Sequence, residues 1–104
     1  MALHNGSYRI RDVSSIIPSL SVYLSDDRVV INTLLFDSRK LIDTAGGLFF
    51  ALKGRRDGHA YVGDVYAAGV RNFVIGPDKV DIHAFPGANF IVVQDPLEAL
   101  QILA

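Results

Sequence analysis

The chain has 104 residues, half of them hydrophobic and a fifth charged, with ten Lys and Arg against eleven Asp and Glu. That length fits one domain, and the apolar content excludes a disordered chain. A net charge of −1 argues against nucleic acid as a partner, and the lack of cysteine excludes disulfides and thiolate metal sites. No apolar run approaches the ~20 residues of a membrane span. Met1 to Arg11 lacks the apolar stretch of a signal peptide. The expectation is a cytoplasmic domain with no membrane partner.

Residues 1–7 (MALHNGS) are polar and patternless, and read as a loose N-terminal segment. Tyr8 to Ile10 suits a short strand. Val13, Ile16 and Ile17 then fall on one face of a short helix, which Pro18 stops. Asp26-Asp27 reads as a turn. Val29 to Phe36 (VVINTLLF) predicts one strand, apolar on both faces and so part of a covered sheet. After a turn at Gly46-Gly47, Leu48 to Leu52 predicts a second buried strand, in which Phe49 and Phe50 alternate.

Ala60 to Gly69 predicts a helix with Tyr61, Val65 and Ala68 in a stripe, Val62 and Tyr66 beside it, and Gly69 as the C′ residue. Asn72 to Ile75 and Phe90 to Val93 predict strands. Asp78 to Gly87 between them reads as loop with room for a short strand. Asp95-Pro96-Leu97-Glu98 carries an N-cap, a proline at N1 and a capping-box glutamate; Leu97, Leu100 and Ala104 share a face of the helix that follows. The element order predicts an α/β fold: a small layered domain with a mixed or mostly parallel sheet flanked by helices. The last helix lacks a C-terminal cap, which reads as a cut inside a longer protein.

Several chemistries are missing. There is no GxxxxGK[ST] phosphate loop, no GxGxxG and no GxSxG. His4, His59 and His83 are scattered, which argues against a histidine metal site. No nucleophile–base pair is visible, so no catalytic residues are assigned.

Two loops stand out at the carboxyl ends of strands, the edge at which open α/β sheets gather ligands: Asp37-Ser38-Arg39 and Lys53 to His59. The second combines Lys53, Arg55 and Arg56 with Gly54 and Gly58, and leads into a helix N-terminus near His59. Cations beside unpaired helix N–H groups suit a phosphate. The first offers a hydroxyl and a guanidinium beside Phe36, able to fix a flat polar ring. Each loop also has a plainer reading. Asp37 and Arg39 suit a surface ion pair, Asp57 a helix cap, and His59 a partly buried first-turn residue; Tyr61 and Tyr66 suit packing.

These strings carry a resemblance. Asp37-Ser38-Arg39 is similar to the D-[ST]-R motif of the Mur ligases. Leu48 to Gly54 is similar to their LFxALKG strand and loop, and Asp57-Gly58-His59 to the D-[GA]-H that opens the next helix. Residues 90–104 resemble the closing strand and the helix that leads to the ATP-binding domain. From Tyr8 to Ala104 the chain thus resembles the N-terminal domain of the Mur ligases, most like the MurF branch and next the MurE branch. Gly69 to Phe73 and the LQILA ending resemble forms fused to an alanine racemase.

The resemblance implies that residues 8–104 are a UDP-binding N-terminal domain, cut before the central domain. It implies a cytoplasmic parent ligase that adds D-alanyl-D-alanine to UDP-N-acetylmuramoyl-tripeptide in peptidoglycan synthesis. There ATP phosphorylates the peptide's terminal carboxylate and the dipeptide amine attacks the acyl phosphate. ATP and magnesium belong to the central domain, so this segment itself takes no cofactor. Partners are the UDP-N-acetylmuramoyl-peptide and the central and C-terminal domains. By residue, Ser38 meets uracil or ribose, and Arg39 supports that loop or reaches polar groups of the substrate. Lys53 and Gly54 lie along the nucleotide, and Asp57, Gly58 and His59 shape the loop and helix start. Arg55 and Arg56 are not fixed by the motif; their place near the diphosphate rests on charge. The alternatives are the same role in a MurE-type ligase, or an α/β protein-interaction module with no small ligand.

Overall fold

The sheet is built by strands whose alternate side chains enter two different cores. The chain is described here as a computed structural model covering residues 7–42, 44–54 and 57–104. The elements in chain order are β1 (Tyr8–Arg9), α1 (Ile10–Ile16), β2 (Ser21–Tyr23), β3 (Val30–Ile31), β4 (Thr33–Leu35) and β5 (Gly47–Phe50). A 3-10 turn (Gly58–Tyr61), α2 (Val62–Ala67), β6 (Asn72–Ile75), a second 3-10 turn (Ile82–Ala84), β7 (Asn89–Val92) and α3 (Pro96–Leu103) follow.

The main sheet has the order β2-β7-β6-β5-β4. Strands β4 to β7 are parallel, and β2 closes one edge antiparallel to β7. This is the mixed, mostly parallel α/β sheet that the element order predicts. On one face Leu34, Leu48, Phe50, Val74 and Ile91 pack with Ile10 and Val13 of α1 and Leu100 and Leu103 of α3. On the other, Leu35, Phe49, Phe73, Ile75 and Phe90 pack with Val62 and Val65 of α2. Phe49 and Phe50 are therefore both core, on opposite faces. Parallel strands need both faces covered, and the helices divide that task.

The amino ends of the central strands are tied by side-chain amides. Asn89 Nδ2 donates to Asn72 Oδ1 (3.0 Å) and to the Asp26 carbonyl (2.8 Å), while the Asp26 amide donates to Asn89 Oδ1 (2.9 Å). Asn72 Nδ2 donates to the Gly47 carbonyl at 3.1 Å. Both asparagines are buried, so these bonds replace water that the groups have lost.

Four local expectations need correction, and one strand was not expected. The run from Val29 to Phe36 is two strands: β3 pairs with β1 in a separate ribbon, and β4 joins the main sheet. The break is at Asn32 and Thr33, whose amides both turn to the Gly46 carbonyl. Ile16 is 43% exposed, because α1 buries Ile10 and Val13, and Ile17 follows on that face as the helix ends before Pro18. Leu97 is likewise exposed, and α3 buries Ala99, Leu100 and Leu103 instead. Residues 78–87 hold no strand; Asp81 caps a 3-10 turn by accepting from the His83 amide. Edge strand β2 carried no sequence signal, being three residues long and largely exposed. The Asp95 cap forms as expected, accepting from the Leu97 amide at 3.0 Å.

Candidate functional site

The two loops singled out by composition meet. β4 and β5 are parallel neighbours, so the segments that follow them leave the sheet at the same edge. Between them lies an open cleft of about 650 Å³, lined by Phe36, Asp37, Ser38 and Arg39 on one side and by Leu52, Lys53, Gly54, Gly58 and Tyr61 on the other, with Phe49 also contributing. That volume lies within the usual range for small-ligand sites.

The first wall is a turn organised by Asp37. Its Oδ1 accepts from the Arg39 amide (2.9 Å) and from Arg39 Nε (3.1 Å), and its Oδ2 accepts from Arg39 Nη2 (3.2 Å). The Lys40 amide closes the turn on the Asp37 carbonyl at 3.0 Å. These bonds from Arg39 hold the Asp37 carboxyl below its ordinary value and raise the guanidinium above its own. The surface ion pair is thus real, yet the Arg39 side chain stays 86% exposed beside the cleft. Ser38, at the apex, has no hydrogen-bond partner for its hydroxyl among the described residues.

The second wall follows β5. An isolated antiparallel bridge joins Lys53 to Asp57, and the Gly58 amide donates to the Leu52 carbonyl at 2.7 Å. Gly58 is pressed so closely on the strand that a Cβ would lie 2.7 Å from the Leu52 nitrogen and 2.8 Å from its carbonyl oxygen. Only glycine allows that approach. Lys53 is exposed and has no carboxylate partner among the described residues.

The expected helix N-terminal phosphate site is not open. Asp57 Oδ1 accepts from the His59 amide (3.0 Å), the Asp57 carbonyl takes the Ala60 amide (3.0 Å), and Leu52 takes that of Gly58. The first N–H groups are consumed within the loop, leaving Lys53 as the described cation on this wall. Arg55 and Arg56 lie outside the described residues. Asp57 and His59 do not line the cleft but stand behind it. His59 Nδ1 meets Asp57 Oδ1 at 2.5 Å, and its Nε2 accepts from the Gly76 amide at 2.9 Å. The bonds from the His59 ring and amide hold the Asp57 carboxyl below its ordinary value.

No protein-family model and no curated protein matches the chain. Solved structures do. Crystal structure I of MurF from Acinetobacter baumannii superposes with a TM-score of 0.76 at 25% identity, covering 99% of this chain and 21% of that one. A structure of UDP-N-acetylmuramoylalanyl-D-glutamyl-2,6-diaminopimelate–D-alanyl-D-alanyl ligase from the same organism gives 0.75 at 26% identity, with the same coverage. Crystal structure II of MurF gives 0.74 at 26%. The chain has the fold of a MurF-like Mur ligase N-terminal domain. It spans about a fifth of the length of those ligases.

In this MurF-like domain the structure brings Ser38, Arg39, Lys53, Gly54 and Gly58 to one cleft and sets Asp57 and His59 behind it. Sequence reasoning undervalued the aromatic walls. Phe36 is 47% exposed on the cleft. Tyr61 reaches it because residues 58–61 form a 3-10 turn, in which positions i and i+3 eclipse, so Tyr61 falls on the side of Gly58. Among the described residues no three His, Asp or Glu side chains gather to hold a metal ion. The sequence also carries no GxxxxGK[ST] phosphate loop. No helix among the described residues is long and apolar enough to cross a membrane.

Proposed function

We propose that this domain anchors the UDP end of UDP-N-acetylmuramoyl-tripeptide for a MurF-type ligase that adds D-alanyl-D-alanine, while the bond is made elsewhere on the parent chain. The observation that carries the reading is the single cleft shared by the Asp37-Ser38-Arg39 turn and the Lys53–Gly58 loop, on a MurF-like fold. The Ser38 hydroxyl, free of partners among the described residues, hydrogen-bonds the uracil or ribose. Phe36 and Tyr61 supply flat apolar faces for the ring, a contact that aromatic side chains favour. Lys53 and the backbone at Gly54 lie along the diphosphate, with Arg39 at the rim.

The chemical role is positioning. Binding energy from a remote handle holds the reacting carboxylate in place and favours the ordered transition state. ATP and magnesium act in the central domain of the parent, and this domain contributes no group to the bond.

Calorimetric titration with UDP tests the reading. UDP binds with a dissociation constant between about 1 µM and 1 mM. Ser38→Ala and Lys53→Ala each weaken it roughly three- to tenfold, the worth of one hydrogen bond or one charge-assisted contact. No binding at several millimolar UDP, or unchanged affinity in both variants, overturns it and favours the interaction-module alternative.

A further inference from the structure

We infer that His59 is a positioning residue: as its Nδ1–H tautomer it straps the loop that walls the cleft to the end of β6, and through Gly58 it sets how tightly a nucleoside diphosphate is held. The affinity half of this inference rests on the function proposed above; the strap does not.

The His59 side chain is only 7% exposed, so both ring nitrogens need protein partners. The Gly76 amide can only donate, and it donates to Nε2. Nε2 must therefore present its lone pair, and the ring's single proton sits on Nδ1, facing Asp57 Oδ1. The partners fix the tautomer, as they do for ring nitrogens generally. The same carboxylate oxygen takes His59's own amide. A continuous chain of carboxylate, imidazole and amide thus runs from the loop after β5 to the loop after β6.

That chain bridges a gap. The ladder between β5 and β6 ends, among the described residues, with the Ala51 amide on the Val74 carbonyl at 3.0 Å. Beyond that point the bond from the Gly76 amide to His59 Nε2 joins the two loops. The loop end of the strap is tight, and the β6 end is in ordinary contact. Gly76 is buried, and a Cβ there would lie 3.5 Å from His59 Nε2. Gly58, the next residue back from His59, is seated on Leu52 without room for a methyl group. A displaced imidazole would pass its shift to Gly58 and Gly54, which line the cleft. Among the described residues, Asp57 and Lys79 are charged groups beside the ring. The Lys79 stem lies near Gly76, and its charge also favours the ionised form of Asp57.

Two substitutions separate the bonds. His59→Asn keeps a donor near Asp57 but is too short for Gly76, whereas His59→Gln carries a carbonyl out to Gly76. The 104-residue chain is studied by NMR with 15N-labelled histidine, and UDP is the probe. In the unsubstituted chain, Nδ1 is protonated and Nε2 is an unprotonated acceptor. His59→Asn shifts the Gly54 and Gly58 amides and weakens UDP about tenfold, the equivalent of about 1.4 kcal/mol; His59→Gln restores most of that loss. The opposite tautomer overturns the strap, as does a folded His59→Asn chain with unmoved Gly58 resonances. Equal UDP affinity in the folded Asn variant and the unsubstituted chain overturns the control of binding. If His59→Asn does not fold, the tautomer and the Gln variant decide. If the unsubstituted chain takes up no UDP, the functional reading fails together with the control of affinity, and the tautomer and amide shifts decide the strap.

Discussion

Replacing Gly58 by alanine is the sharpest perturbation the structure offers. The added carbon would stand 2.7, 2.8 and 3.0 Å from the Leu52 nitrogen, the Leu52 oxygen and the Ala51 carbonyl carbon. Optimal separation for such atoms is about 3.5 Å, and all three belong to backbone, which cannot swing aside as a side chain can. Relief requires lifting the loop off β5, and that stretches the 2.7 Å bond from the Gly58 amide to the Leu52 carbonyl. Overpacking of this kind costs about 1–3 kcal/mol. In a domain near this size each kcal/mol lowers Tm by about 4–8 °C, so Gly58→Ala should lower Tm by roughly 5–20 °C. Circular dichroism melts and urea unfolding of both chains measure it. Because Gly58 also lines the cleft, the variant should lose UDP affinity at temperatures where it remains folded. A Tm within about 2 °C of the unsubstituted chain, with the loop amide resonances unmoved, would refute the close approach and the reasoning built on it.

Two further outcomes follow from bonds away from the cleft walls. Asn89→Ala removes three hydrogen bonds and leaves Asn72 and the Asp26 backbone short of partners at a buried position. It should destabilise the domain by about 3 kcal/mol in urea while the Gly54 and Gly58 amides stay in place; a loss below about 0.5 kcal/mol contradicts the network. Asp57 has its folded pKa depressed, first by the His59 ring bond and then by the His59 amide. Its contribution is therefore present above the unfolded value of about 4 and fades as pH falls through the depressed folded value. The stability gap between the unsubstituted chain and Asp57→Asn should shrink below about pH 4, and a gap that is the same at pH 5 and pH 2.5 contradicts the bond.

Much of this was legible in the sequence because apolar alternation and strong local signals agree. Phe49 beside Phe50, the β-branched tract before Phe36, and Asp95-Pro96 each place an element with little help from tertiary context. The shared cleft was legible as well, since parallel neighbouring strands bring their following loops to one edge. Other features depend on partners that no local pattern encodes. Asn32 and Thr33 break a run that reads as one strand only because Gly46 sits opposite them. Strand β2 exists through its pairing with β7, not through its own three residues. The anion site expected at the helix start closed because Asp57 and Leu52 accept the same amides a phosphate would have used. His59 reads as a partly buried first-turn residue, but its bond from the Gly76 amide depends on a partner that no local pattern encodes.

The central claim is that the turn at Ser38 and the loop at Gly54 grip one ligand together. Amide chemical-shift mapping of the 15N-labelled chain during titration with UDP tests it most directly. The account predicts that the amides of Ser38, Arg39, Lys53, Gly54 and Gly58 move together along one saturating curve, while those near Asn89 at the opposite end of the sheet stay still. Shifts that avoid both walls of the cleft, or that touch only one of them, would contradict it.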